Sequence, residues 1–254
     1  MPMSSAQFSP LERNPATGEL FLRLPSPHST IILTPPRPSD AAAIAVIVND
    51  PAVHPWLGRP NDIFTLEEAQ ALVSEYTRAS SAVIYALEES TALEGTITSA
   101  TPSVQCEQLV PVADCPVRSI RELQADGTDV YIGNIAFKRC NWHEVQSPER
   151  DQLIAANNAR PTGDPEIVWQ VSDFLAPTHH RRGLMTVILA TVLKQWAISR
   201  MRVHHLHVSV FTGNTGSVRV FEKNGFVLSG TVEHCIEIRG EMRSLHVLDW
   251  KHVE

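Results

Sequence analysis

Hydrophobic and polar positions along the chain follow two periods, one typical of strands and one typical of helices. Val203–Val210 places apolar residues at every second position, which predicts a half-buried strand. From Met185 to Trp196 the apolar residues recur at intervals of three and four, which predicts a helix with one buried face. Segments of both kinds alternate through most of the chain, and this alternation indicates a mixed α/β fold.

The amino-terminal half predicts a lead-in followed by strands and helices. Residues 1–28 are rich in proline, serine and polar groups, which indicates a loosely ordered segment. The elements predicted behind it are strand Thr30–Thr34, a helix over Ala41–Val48 capped by Ser39-Asp40, a helix from Thr65 to about Thr77 that opens with a capping box, and strand Ala82–Glu88. Residues 90–114 show no clear period and predict a long loop inserted within the hairpins of the sheet.

The carboxy-terminal half predicts most of the sheet. Asp126-Gly127 lies between two strand-like runs and is a strong hairpin signal. The predicted elements are strands Val117–Leu123 and Val130–Lys138, helix Pro148–Asn158, a central strand from Glu166, the helix behind Gly183, strand Val203–Val210, a short helix over Thr215–Lys223 with Asn214 as its cap, and two final strands joined near Arg239-Gly240.

Composition and charge indicate which classes of protein and which partners the sequence fits. Hydrophobic residues make up 43% and charged residues 19% of the 254 residues, as in ordinary globular proteins. The net charge of −7 disfavours nucleic acid as the main partner and mildly favours cationic amines as substrates. The sequence has no apolar run of membrane-spanning length and no secretory signal, and its four cysteines are widely spaced. We therefore expect a cytoplasmic protein without a membrane partner.

A basic turn between the central strand and the next helix is the first candidate binding site. It reads HHRRG from His179 to Gly183 and follows Pro177. A strand that turns tightly into a helix leaves backbone N–H groups unpaired at the positive end of the helix dipole, where phosphate groups bind. Gly183 lets the backbone approach such a ligand closely, and the two arginines can screen its charge.

A second motif lies closer to the carboxy terminus. It reads NxxSxxxFEKxGF from Asn214 to Phe226 and closes with Gly230. On a helix with 3.6 residues per turn, Asn214, Ser217 and Phe221 share one face.

Together these motifs resemble the acyl-CoA-binding elements of the GNAT N-acetyltransferases. The turn HRRGLM, from His180 to Met185, matches the family's Arg/Gln-x-x-Gly-x-Gly/Ala motif at Gly183 and departs from it at both ends. The two helices near the amino terminus resemble the branch that includes the ribosomal-protein alanine acetyltransferases. The resemblance implies the GNAT fold, with a central mixed, mostly antiparallel sheet flanked by helices, as a single domain over residues 29–254.

The resemblance also implies the substrates and the residues that bind them. The co-substrate would be acetyl-CoA, with no metal, and the acceptor would be a primary amine, either a protein N-terminal α-amine or a small molecule. The residues expected to bind the cofactor lie at the end of the central strand, in the turn and on the short helix: Phe174, Leu175, His180, Arg181, Arg182, Gly183, Leu184, Met185, Thr186, Asn214, Ser217 and Phe221.

Direct transfer of an acyl group needs a donor to the carbonyl, a base for the amine proton and an acid for the thiolate. In the family the donor is a backbone N–H at a bulge of the central strand, here that of Leu175. The base is usually a carboxylate of that strand, so Asp173 is the first candidate and Glu166 the second. Phe221 stands where many members have a tyrosine and cannot donate a proton. Ser217 is therefore the candidate partner of the sulfur.

Two features of the sequence bear on alternatives to an acetyltransferase. His205 and His207 share one face of a strand, but we expect no metal site because no carboxylate or cysteine completes a ligand set with them. The departures at His180, Met185 and Phe221 would also suit a non-catalytic acyl-CoA-binding or regulatory module. The sequence indicates neither the oligomeric state nor whether the acceptor is a peptide or a small amine.

Overall fold

Nine strands form one sheet in the computed structural model of the chain, which describes residues 6–97 and 109–252. In chain order they are β1 Glu12–Arg13, β2 Leu20–Arg23, β3 Ile31–Thr34, β4 Ser119–Leu123, β5 Asp129–Arg139, β6 Val168–Leu175, β7 His205–Phe211, β8 Val227–Ile238 and β9 Glu241–Lys251. Their order across the sheet is β1-β2-β3-β4-β5-β6-β7-β9-β8. All neighbours are antiparallel except β6 and β7, so the expected mixed, mostly antiparallel sheet is confirmed.

The parallel strands β6 and β7 stay paired over a very short distance. Val168 pairs with His205 and Trp169 with Leu206, and the register between the two strands ends there. Farther along, β6 keeps its pairing to β5 and β7 keeps its pairing to β9 up to the last residue of each strand. The carboxy-terminal halves of β6 and β7 therefore diverge and leave a gap in the middle of the sheet.

Six α-helices accompany the sheet in the described residues. They are α1 Asp40–Asn49, α2 Leu66–Ile97, α3 Glu149–Asn158, α4 Leu184–Val192, α5 Ile198–Met201 and α6 Thr215–Lys223, with a π-helical turn at Leu193–Ala197 that joins α4 to α5. Shorter 3-10 turns lie at Ala6–Phe8, His54–Trp56 and Pro177–His179. Within the described ranges, no helix combines the length and the apolar character that a membrane span requires.

The helices cover both faces of the sheet. Leu175 of β6 belongs to the main core, together with Leu184 and Ile188 of α4. Its neighbour Phe174 packs instead against a second cluster, which contains residues of α1 and of the first turns of α2. Because successive side chains of a strand point to opposite faces, α4 and α1 lie on opposite sides of β6.

Helix α2 begins as predicted but is much longer. Its first turn is held by a capping box, in which the Thr65 N–H donates to Glu68 Oε2 at 2.7 Å and the Glu68 N–H donates to Thr65 Oγ1 at 3.1 Å. The predicted helix end near Thr77 and the predicted strand Ala82–Glu88 are wrong, since both lie inside α2. The buried positions recur at intervals of three and four: Ala69, Val73, Tyr76, Ser80, Val83 and Leu87.

Within the lead-in expected for residues 1–28, β1 and β2 form part of the sheet instead of a loosely ordered segment, and residues 1–5 lie outside the described ranges. β2 pairs with β3, and the side chains of Leu20, Leu22 and Leu24 are buried in the main core. A run this short carries little periodic signal, and its place in the sheet depends on a partner strand. The predicted loop at 90–114 also begins differently, because residues 90–97 belong to α2; residues 98–108 lie outside the described ranges.

Asp40 has a different role from the predicted helix cap. Its carboxylate accepts hydrogen bonds from Arg121 at 2.5 Å and from Ser119 at 2.9 Å, and both partners lie on β4. The side chains of Asp40 and Arg121 are only 1% and 3% exposed. Ser39 occupies the N-cap position, but its side chain makes no capping hydrogen bond. This buried ion pair connects the start of α1 to β4 of the sheet.

The remaining predicted elements are confirmed, with ends that differ by one or two residues, except that the helix after Gly183 changes to a π-helical turn at Leu193 and then continues as α5. The hairpin of β4 and β5 turns at Asp126-Gly127, where Gly127 has a φ of 85°. The hairpin of β8 and β9 turns at Arg239-Gly240. Helix α6 begins with Asn214 as its cap, since Asn214 Oδ1 accepts the Ser217 N–H at 3.2 Å.

Candidate active site

The gap between β6 and β7 exposes one edge of β6. The Ala176 N–H donates to the Ile132 carbonyl at 2.7 Å, on the side of β5. Since successive N–H groups along a strand point to alternate edges, the Leu175 N–H points into the gap. The expected bulge is absent from β6, which is described in full and pairs with β5 in unbroken register from Trp169 to Leu175. Divergence from β7, rather than a bulge, therefore leaves this donor available.

The basic turn lies directly beyond this edge. The His180 ring Nε2–H donates to the Leu175 carbonyl at 2.9 Å, which holds the turn against the end of β6. Gly183 occupies the N-cap position of α4 with a left-handed φ of 72°. No atom lies within 4 Å of the position that a Cβ at Gly183 would take. The first N–H groups of α4 are therefore approachable by a ligand.

The two arginines of the turn have different surroundings. Arg181 is exposed and lines the cleft described below. Arg182 instead lies 3.7 Å from Glu122 Oε1, and Glu122 also contacts the ring of His179 at 3.1 Å. Of the two, Arg181 is the one placed to meet a phosphate on the cleft side.

A cleft of about 1150 Å³ extends from this turn across the gap to the segment that joins α1 to α2. It is larger than the roughly 300–1,000 Å³ of most small-molecule pockets, which leaves room for a large cofactor and a second substrate. The predicted site residues that line it are Asp173, Phe174, Leu175, His180, Arg181, Gly183, Leu184, Met185, Thr186, Asn214, Ser217 and Phe221. Arg182 and Glu166 are not among its lining residues, and Glu166 is exposed and precedes β6 at the end far from the gap.

Helix α6 forms one wall of the cleft. Ser217 is half-buried, whereas Phe221 is buried and packs its ring edge-on against Phe226 with 5.0 Å between the centroids. The Asn224 side chain donates to the Thr186 carbonyl at 3.2 Å and thereby connects α6 to α4. The second sequence motif and the basic turn thus form two sides of the same cleft.

Asp173 is the one acidic residue among the described residues that line the cleft. It pairs with Ile135 of β5, so it lies on the face of the sheet where α4 packs. Its side chain is half-buried, and desolvation raises the pKa of the carboxyl group to about 6. A carboxyl group with this pKa is ionised near neutral pH and can still accept a proton there.

The opposite wall contains side chains that the sequence did not single out. The Lys138 ammonium lies 5.0 Å from the centroid of the Tyr76 ring, and the Arg59 guanidinium lies 3.8 Å from that of Phe64. Lys138, Tyr76 and Arg59 all line the cleft. These residues come from β5, α2 and the segment before α2, and only the tertiary fold brings them together.

The prediction about the histidines of β7 is wrong in one respect. His205 and His207 do share a face, but a carboxylate does complete a potential ligand set. Asp249 of β9 pairs with His207 across the two strands, and its Oδ1 lies 3.0 Å from His205 Nε2 and 2.9 Å from His207 Nδ1. Nothing near the histidines in sequence indicates this partner, because strand pairing supplies it.

Comparison with known proteins decides the family. The sequence profile of the acetyltransferase (GNAT) domain matches residues 30–227, which is most of the chain. The chain belongs to the GNAT family. Its mixed, mostly antiparallel sheet flanked by helices is the fold of this family, which solved GNAT structures share.

Individual relatives of this GNAT chain agree with the family. Probable N-acetyltransferase YjcK of Bacillus subtilis (strain 168) is 32% identical over 75 residues, a stretch that covers 30% of this chain and 41% of that protein. The ribosomal-protein-S5-alanine acetyltransferase of Vibrio fischeri superposes with a TM-score of 0.54 at 13% identity, covering 91% of this chain and 96% of that one. The spermidine N-acetyltransferase of Vibrio cholerae, solved with CoA and spermine, gives 0.53 at 13% identity over 88% and 96%. At this identity the two structures show a shared fold.

Proposed function

We propose that the protein transfers an acetyl group from acetyl-CoA to a primary amine by direct attack. One observation carries the proposal: the Leu175 N–H points into the gap between β6 and β7, next to the open amino terminus of α4. A hydrogen-bond donor for a carbonyl oxygen and a binding site for phosphates are thereby side by side. A thioester of a phosphorylated carrier has a carbonyl oxygen for this donor and phosphates for this binding site.

The cofactor would lie across the gap. Its pyrophosphate meets the first N–H groups of α4 at Gly183, with Arg181 beside them. Asn214 and Ser217, which line the cleft at the start of α6, would hold its pantetheine arm. The Leu175 N–H would then be the donor to the thioester carbonyl.

The chemistry then uses three groups of this chain. The Leu175 N–H stabilises negative charge on the carbonyl oxygen, a contribution of about 3 kcal/mol in comparable sites. The amine nitrogen bonds to the carbonyl carbon, and its proton passes to Asp173 directly or through water. The carbon–sulfur bond breaks and the thiolate leaves, with the Ser217 hydroxyl as its hydrogen-bond partner. The products are the acetylated amine and free coenzyme A.

Charge on the wall opposite α6 favours an amine that also carries an anionic group. Arg59 and Lys138 line that wall, and among the described lining residues the only carboxylate is Asp173, on the face where α4 packs. This wall of the cleft is therefore positively charged, whereas the whole molecule has a net charge of −7. The net charge alone predicts cationic amines as substrates, and the local charge favours the opposite. An amino acid or a peptide with an acidic residue near its amino terminus has the complementary charge.

The acceptor class can be tested with two peptides that differ in one charge. Thiol release from acetyl-CoA is followed with a peptide that has aspartate at its second position and with the same peptide carrying lysine there. We expect kcat/KM for the acidic peptide to be higher by at least about tenfold, which corresponds to one favourable charge contact. Lys138→Gln should reduce this ratio, whereas Lys251→Gln, at the end of β9 and outside the cleft lining, should leave it unchanged.

The outcomes separate the two parts of the proposal. Equal rates for both peptides would contradict the acceptor class and leave acetyl transfer in place. Absence of thiol release with every amine in a wider panel would contradict the proposed function itself.

A further inference from the structure

A group of metal-ligating side chains lies on β7 and β9, apart from the cleft. His205 and His207 lie two residues apart on β7 and point to the same face. Asp249 lies opposite His207 on β9. The three ligand atoms, His205 Nε2, His207 Nδ1 and Asp249 Oδ1, lie within 4.8 Å of one another. The pairing of two regular strands, rather than a loop, fixes this arrangement.

Hydrogen bonds between neutral side chains do not account for all contacts of His207. Its Nδ1 lies 2.9 Å from Asp249 Oδ1, and its Nε2 lies 2.7 Å from Glu144 Oε1. A neutral imidazole has one N–H, so it can donate to only one of the two carboxylates. A cation bound to Nδ1 and to Asp249 satisfies the first contact, and the Nε2–H then donates to Glu144.

The surrounding hydrogen bonds match those that orient metal ligands in proteins. A metal-bound histidine usually donates its second ring N–H to a carboxylate, which is the position of Glu144 here. Glu144 is itself held by Ser209, whose hydroxyl donates to Oε2 at 2.6 Å. The Ser229 hydroxyl donates to the second oxygen of Asp249. His207 and Asp249 are thus each held by a hydrogen bond with a residue outside the ligand set.

Spacing and access also suit a metal ion. Bonds of about 2.0–2.1 Å in a tetrahedral site place ligand atoms about 3.3 Å apart. The contacts of 2.9 and 3.0 Å around Asp249 Oδ1 are slightly shorter, and the two histidine nitrogens lie within 4.8 Å of each other, so adjustments of the three side chains would make room for an ion. The side chains of His205 and Asp249 are 29% and 28% exposed, which gives an ion a path from solvent.

We infer that His205 Nε2, His207 Nδ1 and Asp249 Oδ1 bind a divalent transition-metal ion of the zinc class, with water in the remaining position. Two imidazoles and one carboxylate are a ligand set that such ions accept. The ion would join β7 to β9. Through the contact of His207 with Glu144, the ion would also hold the segment that follows β5. His143, the residue before Glu144, lines the cleft.

The test measures metal binding to the full chain, independently of enzymatic activity. Protein freed of metal with a chelator is titrated with Zn²⁺ in competition with a chromophoric chelator, and Co²⁺ is used as a spectroscopic probe of the ligand set. We expect one tightly bound ion per chain and a rise in melting temperature on addition of Zn²⁺. His205→Gln and Asp249→Asn should each weaken Zn²⁺ binding by at least about tenfold, and Glu144→Gln by about 10- to 100-fold.

His204→Gln is the matched control, because His204 precedes His205 and its ring contacts His252 instead of the ligand set. This variant should bind Zn²⁺ as the unmodified chain does. Absence of tight binding would overturn the proposal and leave His207 as an imidazolium between two carboxylates. Tight binding that His205→Gln and Asp249→Asn leave unchanged would overturn it as well, since the ion would then be bound elsewhere.

Discussion

At the scale of single residues, the carboxyl group of Asp173 retains its proton at higher pH than an exposed aspartate, because desolvation disfavours its charged form and raises its pKa to about 6. If Asp173 accepts the amine proton, it must be ionised to act. Activity should therefore fall as the pH drops through about 6, because protonation removes the base.

We expect Asp173→Asn to lower kcat/KM by about 10²- to 10⁴-fold, the range typical of a lost general base. The inflection near pH 6 should disappear from the pH profile of kcat/KM, while the affinity for acetyl-CoA stays nearly constant. Steady-state rates between pH 5 and pH 9 provide the comparison. A variant with the same inflection would assign that titration to another group.

Gly183 is the residue whose backbone we expect to matter most for binding phosphates. Its φ of 72° is costly for other residues, and the space beside its Cα is open to the cleft. Gly183→Asp would place a negative charge where the pyrophosphate is expected. Isothermal titration should show an affinity for coenzyme A at least about tenfold below that of Gly183→Ala, the control for backbone strain alone. Equal affinities of the two variants would contradict phosphate binding at this turn.

At the scale of elements, the close approach of β5 and β6 beside the gap depends on Gly133. A Cβ at this position would lie 2.3 Å from the Phe174 carbonyl oxygen and 2.9 Å from a methyl group of Leu175. Backbone atoms cannot move aside as a flexible side chain does. The end of β6, with its Leu175 donor, would therefore be displaced.

Gly133→Ala is expected to lower the free energy of unfolding by about 1–3 kcal/mol, the usual cost of overpacking. The same variant should reduce kcat, because the donor N–H shifts. Gly230→Ala is the control, since no atom lies within 4 Å of its Cβ position. Chemical denaturation of both variants measures the difference, and equal stability would show that β5 and β6 tolerate a wider spacing.

The elements differ in how far the sequence could predict them. The turn at Gly183 and the cap at Asn214 depend on local chemistry and were predicted from it. Helix α2 has a regular pattern of buried positions, but Ser80 interrupts the apolar series within it, and Ala82–Glu88 alone has the composition of a strand. Lys138 lies beside Tyr76 because α2 packs near β5, and Asp249 lies beside His207 because β7 and β9 pair; no local pattern contains either contact.

At the scale of the whole molecule, the short pairing of β6 with β7 is the only strand register that joins β1–β6 to β7–β9 in the described residues. A cofactor bound in the gap would contact both parts of the sheet. It should therefore stabilise the entire fold, and acetyl-CoA at 100 times its dissociation constant should raise the free energy of unfolding by about 2.7 kcal/mol. Thermal unfolding should show this increase for the unmodified chain and a smaller one for Gly183→Asp at the same concentration.

Acetyl transfer itself is measured most directly by incubating the protein with acetyl-CoA labelled in its acetyl group and a panel of peptide and small amines. Mass spectrometry then detects the labelled amine, and a thiol reagent detects free coenzyme A. Our account predicts both products in equal amounts, with the highest yield from amines that carry an anionic group. Binding of acetyl-CoA with no labelled amine from any member of the panel would contradict it and favour a non-catalytic acyl-CoA-binding module.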